Sequence, residues 1–175
     1  MFKFLKYFYL IIFIFSTNIV KSNETYIVYV DVQKLLSQSN AGKKAFKDLN
    51  QIINNKKKQF DKKEKKLQSE EAEILKQKNV VSEDELNNRI QKFRAKINDF
   101  QNKKKKFNEE LSNKRLKATG ELLKSVNQIL SNYASENKIS LIIQKKNIIV
   151  GQSSLDVTDT IMKILNKQIK SINLG

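Results

Sequence analysis

Apolar residues recur every seven positions through the middle of the chain. One series runs from 46 to 74, and a second runs from 86 to 107 after a polar interruption at 79–82. A seven-residue repeat places one apolar stripe along a helix, and that stripe must be buried against another helix. The first series contains Phe46, Ile53, Phe60, Leu67 and Ile74; the second contains Leu86, Phe93, Phe100 and Phe107, with Ile90, Ile97 and Leu111 interleaved.

The two series are mirror images about the interruption. If the chain reverses at 79–82, Phe60 faces Phe100, and three further rungs also meet: 53 faces 107, 67 faces 93 and 74 faces 86. Two unrelated repeats need not share one pivot. The match therefore predicts a long antiparallel helical hairpin over residues 41–138, with its tip near 79–82.

Local signals place the ends of the two helices. We expect the first helix to run from about Lys43 to Lys78. Ser82 followed by Glu85 is the pattern of a capping box, in which each residue bonds to the backbone of the other. It predicts that the second helix starts there and continues to about Asn137.

The seam of the first helix has only one apolar position in each heptad beyond Leu49, because the second position holds Lys56, Lys63 and Glu70. So few apolar contacts leave the helices weakly held against the entropy of ordering them. We expect arms that splay and bend. Four phenylalanines are assigned to this seam rather than to a binding surface: Phe60, Phe93, Phe100 and Phe107.

The flanks of the hairpin predict a small β-containing body. Residues 26–30 and 139–143 are rich in β-branched and aromatic side chains, as strands are. Residues 148–151 predict a third strand, which makes 139–151 a β-hairpin. A final helix capped by Asp156 or Ser154 follows, so the fold class is α+β. The body comprises residues 23–40 and 139–175.

A body of about 55 residues is marginal alone, and the chain has no cysteine for disulfides. These features predict oligomerisation. The candidate contacts between subunits are alternate residues of the predicted strands: Val28, Val30, Leu141 and Ile143.

Residues 1–22 predict a secretory signal peptide that is cleaved before Asn23. Lys3 and Lys6 precede an unbroken apolar run at 7–15, which is the order expected of such a signal. The alternative is a retained membrane anchor. The run rises only about 14 Å as a helix, whereas the hydrocarbon core of a bilayer is about 30 Å thick. We therefore expect an exported protein, periplasmic if the source is a Gram-negative bacterium.

The chain carries a net charge of +16, and most of the excess lies on the hairpin. Lysine clusters in the two helices meet when the hairpin closes, with Lys56 opposite Lys104. They predict a positive belt for acidic chains or anionic lipid headgroups. A merely solvated surface, or a biased composition, is the alternative. The candidate belt consists of Lys56, Lys57, Lys58, Lys62, Lys63, Lys103, Lys104, Lys105 and Lys106.

An enzyme is not expected. The chain has no histidine and no cysteine, which removes the usual metal ligands and the usual proton shuttle near neutral pH. No nucleophile elbow or glycine-rich phosphate loop is present. The acids Glu70, Glu71 and Glu73 read as ion-pair partners for lysines. We expect no catalytic site, no cofactor and no metal site.

The order of these pieces resembles the Skp/OmpH family of periplasmic chaperones. The resemblance is carried by 26–31, the lysine-rich hairpin, 139–143, 148–150 and the stretch 153–158 before the last helix. It implies a homotrimer whose bodies join and whose helical arms enclose an unfolded outer-membrane protein. It also implies a holdase that needs neither ATP nor a cofactor. The family's lipopolysaccharide site has no residue-by-residue match here, so lipopolysaccharide remains only a candidate partner.

Two other classes of function stay open. An exported coiled-coil scaffold or activator of a cell-envelope enzyme would explain the hairpin, but not strands at both ends of it. Nucleic-acid binding would suit the charge. Export and the lack of a groove-reading motif argue against it, and no nucleic-acid partner is expected.

Overall fold

The computed structural model describes residues 25–174. The predicted signal peptide, 1–22, lies outside the described residues. In chain order the elements are β1 (Ile27–Val30), α1 (Val32–Gln38), α2 (Asn40–Lys76), α3 (Glu83–Glu136), β2 (Leu141–Gln144) and α4 (Thr158–Gln168), with single 3₁₀ turns at Lys145–Asn147 and Ser153–Leu155.

The two long helices, α2 and α3, lie side by side and run in opposite directions. The rings of Phe60 and Phe100 meet edge to face with their centroids 5.8 Å apart. Closer to the tip, Lys96 forms an ion pair with Glu70. Still closer to it, Arg89 donates a hydrogen bond to the side chain of Gln77. The antiparallel arrangement expected from the heptad pattern is therefore present.

The starts of both arms are fixed by serine caps. The Ser82 hydroxyl accepts a hydrogen bond from the amide of Glu85 at 3.4 Å, as predicted. The Glu85 carboxylate instead accepts from Arg89 at 2.7 Å. Ser39 caps α2 by accepting from the amide of Gly42 at 3.1 Å. Helix α2 consequently begins at Asn40, earlier than the sequence indicated.

The corner between α1 and α2 requires glycine at position 42. A Cβ atom there would lie 1.9 Å from the carbonyl oxygen of Leu36, which no side chain tolerates. The absence of a side chain lets the two helices approach closely. This small-residue corner also shapes the surface where the arms leave the body.

The body is built on a two-stranded parallel sheet. Strands β1 and β2 pair from Ile27 opposite Leu141 to Val30 opposite Gln144. On the other side of β1, the amide of Val157 donates to the carbonyl of Tyr29 at 3.0 Å. The sheet packs on α1, the last turns of α3, and α4. The buried core comprises Val28, Val30, Leu35, Ala41, Leu122, Val126, Ile129, Ile139, Val157, Ile161 and Leu165.

The predicted β-hairpin at 139–151 is wrong for the single chain. Two-residue hairpin loops favour residues with positive φ, but within 25–174 the only non-glycine residue with positive φ is Lys138. After β2 the chain instead forms a 3₁₀ turn, closed by a 3.0 Å bond from the Ile148 amide to the Lys145 carbonyl. The following residues leave the sheet, with Ile149 fully exposed and Val150 90% exposed.

A polar cluster joins β1, the 3₁₀ turn and α4. Lys145 forms a 2.6 Å ion pair with Asp156. Asp156 accepts from both the amide and the hydroxyl of Thr158, and the Thr158 hydroxyl accepts from the Asp31 amide at 2.8 Å. Burial raises the pKa of Asp156, but the hydrogen bonds from Lys145 and Thr158 outweigh it, so this pKa lies below its usual value. The hydrogen bond to Asp156 raises the pKa of Lys145.

Candidate binding surface on the helical arms

The lysines of the predicted belt lie in the middle of both arms. Lys56 and Lys104 are half-buried between the helices. The other members are exposed: Lys57, Lys58, Lys62, Lys63, Lys103, Lys105 and Lys106.

The two half-buried lysines pack on the aromatic rings of the seam. The Lys56 amine lies 5.4 Å from the centroid of the Phe60 ring and 5.8 Å from that of Phe107. The Lys104 amine lies 5.4 Å from the centroid of Phe100. Such contacts stabilise by about 0.5–2 kcal/mol, more when they are dry. Lys56 and Lys104 therefore help to close the seam, and the exposed lysines form the outward part of the belt.

The exposed belt is poorly neutralised. Among the salt bridges within residues 25–174, the belt contributes only Lys103, which pairs with Asp99 at 2.7 Å. Within residues 25–174, the remaining exposed amines of the belt have no acidic partner. Lys58 and Lys62 also stand four residues apart on one helix face, where like charges repel. A bound anion would relieve this repulsion, so the surface is suited to acidic ligands.

Of the aromatic residues that the heptads indicated, Phe100 is buried in the seam, Phe60, Phe93 and Phe107 are half-buried, and Phe46 is exposed. Phe100 is 5% exposed and Leu67 is 4% exposed, whereas Phe46 is 67% exposed. A straight helix drifts by about 20° per heptad relative to a seven-residue repeat. The drift turns Phe46 outward at the arm root, and Ala45 and Leu49 occupy the seam there.

The four candidate subunit contacts fall into two groups. Val28 and Val30 are each 1% exposed inside the single chain, where they pack in its own core. Leu141 is 50% exposed, and Ile143 is half-buried. Sequence reasoning did not single out the other exposed apolar side chains of the body. They are Tyr26, Ile27, Ile149 and Val150.

The sheet of the body also has an open edge. Within the described chain, β2 pairs only with β1. Its other edge therefore presents backbone groups that another strand could pair with. Exposure of Ile149 and Val150 was hidden from the sequence, because a run of β-branched residues looks the same whether or not a partner strand is available.

Residues 25–174 contain no group of three side chains suited to holding a metal ion. None of the helices in this part of the chain has the length and apolar character needed to cross a bilayer.

Comparison with known proteins places these features in a family. Residues 26–165 match the family described as outer membrane protein (OmpH-like). A crystal structure of an OmpH-like outer membrane chaperone candidate from Caulobacter crescentus CB15 has the same fold, with a TM-score of 0.80 at 18% identity. The match covers 91% of this chain and 94% of that one. No curated protein sequence matches the chain. The family match spans most of the sequence and agrees with the resemblance of its parts, so the chain belongs to the OmpH-like outer membrane protein family.

Proposed function

We propose that this protein is an ATP-independent periplasmic holdase that binds unfolded outer-membrane proteins between its helical arms and prevents their aggregation. The observation that carries the proposal is the belt of exposed, unneutralised lysines midway along both arms. Helix α2 has 37 residues, so an arm reaches roughly 55 Å at about 1.5 Å per residue. That length can hold a client away from the body.

The surface suits a client without fixed structure. Exposed amines attract acidic groups over about 8 Å at physiological ionic strength, and they need no shaped pocket to do so. Flexible lysine stems adjust to many sequences. Many weak contacts together hold a chain firmly, yet each can be released separately. Folding of the client into its membrane can then remove it without ATP.

Supporting features of the body suggest a homotrimer. Leu141, Ile149 and Val150 expose apolar surface on the body, and the outer edge of β2 is open within the described residues. Open edges and contiguous apolar patches mark sites of association. In the proposed assembly Leu141 and Ile143 lie between subunits, while Val28 and Val30 support them from within each chain. Three pairs of arms then enclose one cavity.

The test is an aggregation assay with a urea-unfolded, acidic outer-membrane porin. The mature protein should suppress light scattering on dilution, saturating at one trimer per client. Replacing Lys57, Lys58 and Lys62 together with glutamine should weaken protection, and added salt should weaken it in the wild type. The matched control removes three exposed lysines of the body: Lys146, Lys163 and Lys167. An equal loss of protection in both variants would show that the belt is not the surface that binds the client. Absence of protection by the wild type, with tight binding to one folded partner, would favour the scaffold alternative.

A further inference from the structure

An apolar groove lies at the root of the arms, where the seam between α2 and α3 is not filled. Its volume is about 600 Å³. The walls are contributed by α1 and by the first turns of α2, which face the turns of α3 closest to the body. The apolar residues that form them include Leu36, Ala45, Phe46, Leu49, Ala118 and Leu122.

The groove is present because the residues near the corner between α1 and α2 are small. Glycine at position 42 is required by the contact with Leu36, and Ala45 and Ala118 occupy the seam next to it. None of these can fill the space between the helices. Phe46, which could, is turned to the rim by the drift of the heptad and is 67% exposed.

The charge of the groove indicates which kind of ligand it can bind. Arg115 is the only charged residue in its walls. It is exposed, and among the described residues no salt bridge includes it. An apolar cleft with one unneutralised cation and no acid complements an apolar side chain that has a carboxylate beside it.

The groove and the lysine belt share one face of α2. Phe46, Asn50 and Lys57 lie on one face of α2, since separations of seven and eleven residues are close to whole turns of a helix. Lys57 is exposed and stands roughly 16 Å along the arm from Phe46 at about 1.5 Å per residue. An extended peptide covers that distance in about five residues at roughly 3.3 Å each.

We infer that the groove is a docking site for a short extended segment of an unfolded polypeptide. The segment places an apolar side chain in the groove, an adjacent carboxylate at Arg115, and a second acidic residue about five positions along at Lys57. The inference rests on the proposed function and deepens it. The arms then recognise the spacing of apolar and acidic residues in the client as well as its net charge.

The test uses two labelled peptides of identical composition. Each carries a phenylalanine followed by aspartate, with one glutamate placed either five or two residues further along. Fluorescence anisotropy with the full mature protein should show tighter binding of the five-residue spacing. Thr119→Tyr, which fills the groove from an exposed wall position, should weaken binding about tenfold or more. Arg115→Gln should weaken it by a factor of about two to five.

The matched control is Leu116→Ala. Leu116 lies next to Arg115 and is 69% exposed, but it does not line the groove, so this variant should bind like the wild type. Equal affinity for the two peptides, or no effect of Thr119→Tyr, overturns the inference. A change in the oligomeric state of Thr119→Tyr also overturns it, because a second copy then covers the groove.

The porin aggregation assay run beside it separates this inference from the proposed function. If the protein protects the porin but does not discriminate between the peptides, the proposed holdase function stands and the groove is not a docking site. If it discriminates between the peptides but does not protect the porin, the docking site stands and the proposed holdase function is wrong.

Discussion

Asp156 shows at the scale of one residue what sequence can and cannot indicate. Its position before the last helix predicts a capping role, but the N-cap of that helix is Val157 and no side chain caps it. Asp156 instead accepts a hydrogen bond from the amide of Thr158 at 3.0 Å. Its ion pair with Lys145 depends on the 3₁₀ turn that replaces the predicted hairpin, so no local pattern could have shown it.

The lowered pKa of Asp156 predicts a pH dependence of stability. A carboxyl whose pKa is lower in the folded state stabilises the fold fully above its unfolded pKa, near 3.9. It loses this contribution as the pH falls through the folded value. Asp156→Asn should therefore lower the melting temperature by a constant amount above about pH 5, and the difference should shrink below pH 4. Thermal unfolding followed by circular dichroism measures both.

Asp159→Asn is the matched control, since the Asp159 carboxylate is 81% exposed in its pair with Lys34. Exposed pairs contribute little, so this variant should melt like the wild type at every pH. A difference for Asp156→Asn that persists unchanged at pH 3 would contradict the assigned role.

Phe100 is the most buried aromatic residue of the arm seam, at 5% exposure. Phe100→Ala should remove about 3–5 kcal/mol from the local stability of the arms. Hydrogen exchange of amides on both arms should accelerate near this position. Phe46→Ala should change exchange little, because Phe46 is 67% exposed. Similar acceleration in the two variants would show that the seam does not depend on the aromatic contacts.

At the scale of elements, the long helices were predictable because their signals are local. A seven-residue repeat and a capping residue specify a helix without reference to the rest of the chain. Ser82 caps α3 and Asp31 caps the short helix α1. The strands depend on partners distant in sequence. Residues 148–150 have the composition of a strand, but within the described residues they do not pair with either strand of the sheet.

The same contrast applies to the candidate site. The lysine clusters can be read directly from the sequence, and so can the neutralisation of Lys103 by Asp99 four residues before it. The groove at Arg115 cannot be predicted from the sequence, because it arises where the small side chains of Ala45 and Ala118, on different helices, leave space between them.

The polar seam predicts that the arms open more readily than the body. Between Leu67 and Leu49 no residue of α2 is buried, whereas the body packs a continuous core. Amides at 50–110 should exchange faster than those around Val28 and Val126, since exchange follows local opening free energies. Equal protection of arms and body, measured by hydrogen exchange with mass spectrometry, would rule out flexible arms.

At the scale of the molecule, assembly should depend on the apolar surface of the body. Leu141→Asp introduces a charge at a half-exposed apolar position and should abolish the proposed trimer, since an unpaired buried charge is strongly unfavourable. Analytical ultracentrifugation should then report a monomer. Leu75→Asp is the control, because Leu75 is 66% exposed near the tip of the arm. A trimer that survives Leu141→Asp would place the interface elsewhere.

The parallel pairing of β1 with β2 also constrains the order of folding. The paired strands are more than a hundred residues apart in sequence, with both arms between them. Closing so long a loop early is entropically unfavourable, and distant contacts slow folding. Helical contacts on either side of the tip form locally and shorten the effective loop. We therefore expect the two arms to pair first near the tip, and then progressively toward the body, before the sheet forms. During synthesis, the amino-terminal strand then stays unpaired until the carboxyl end of the chain has been made.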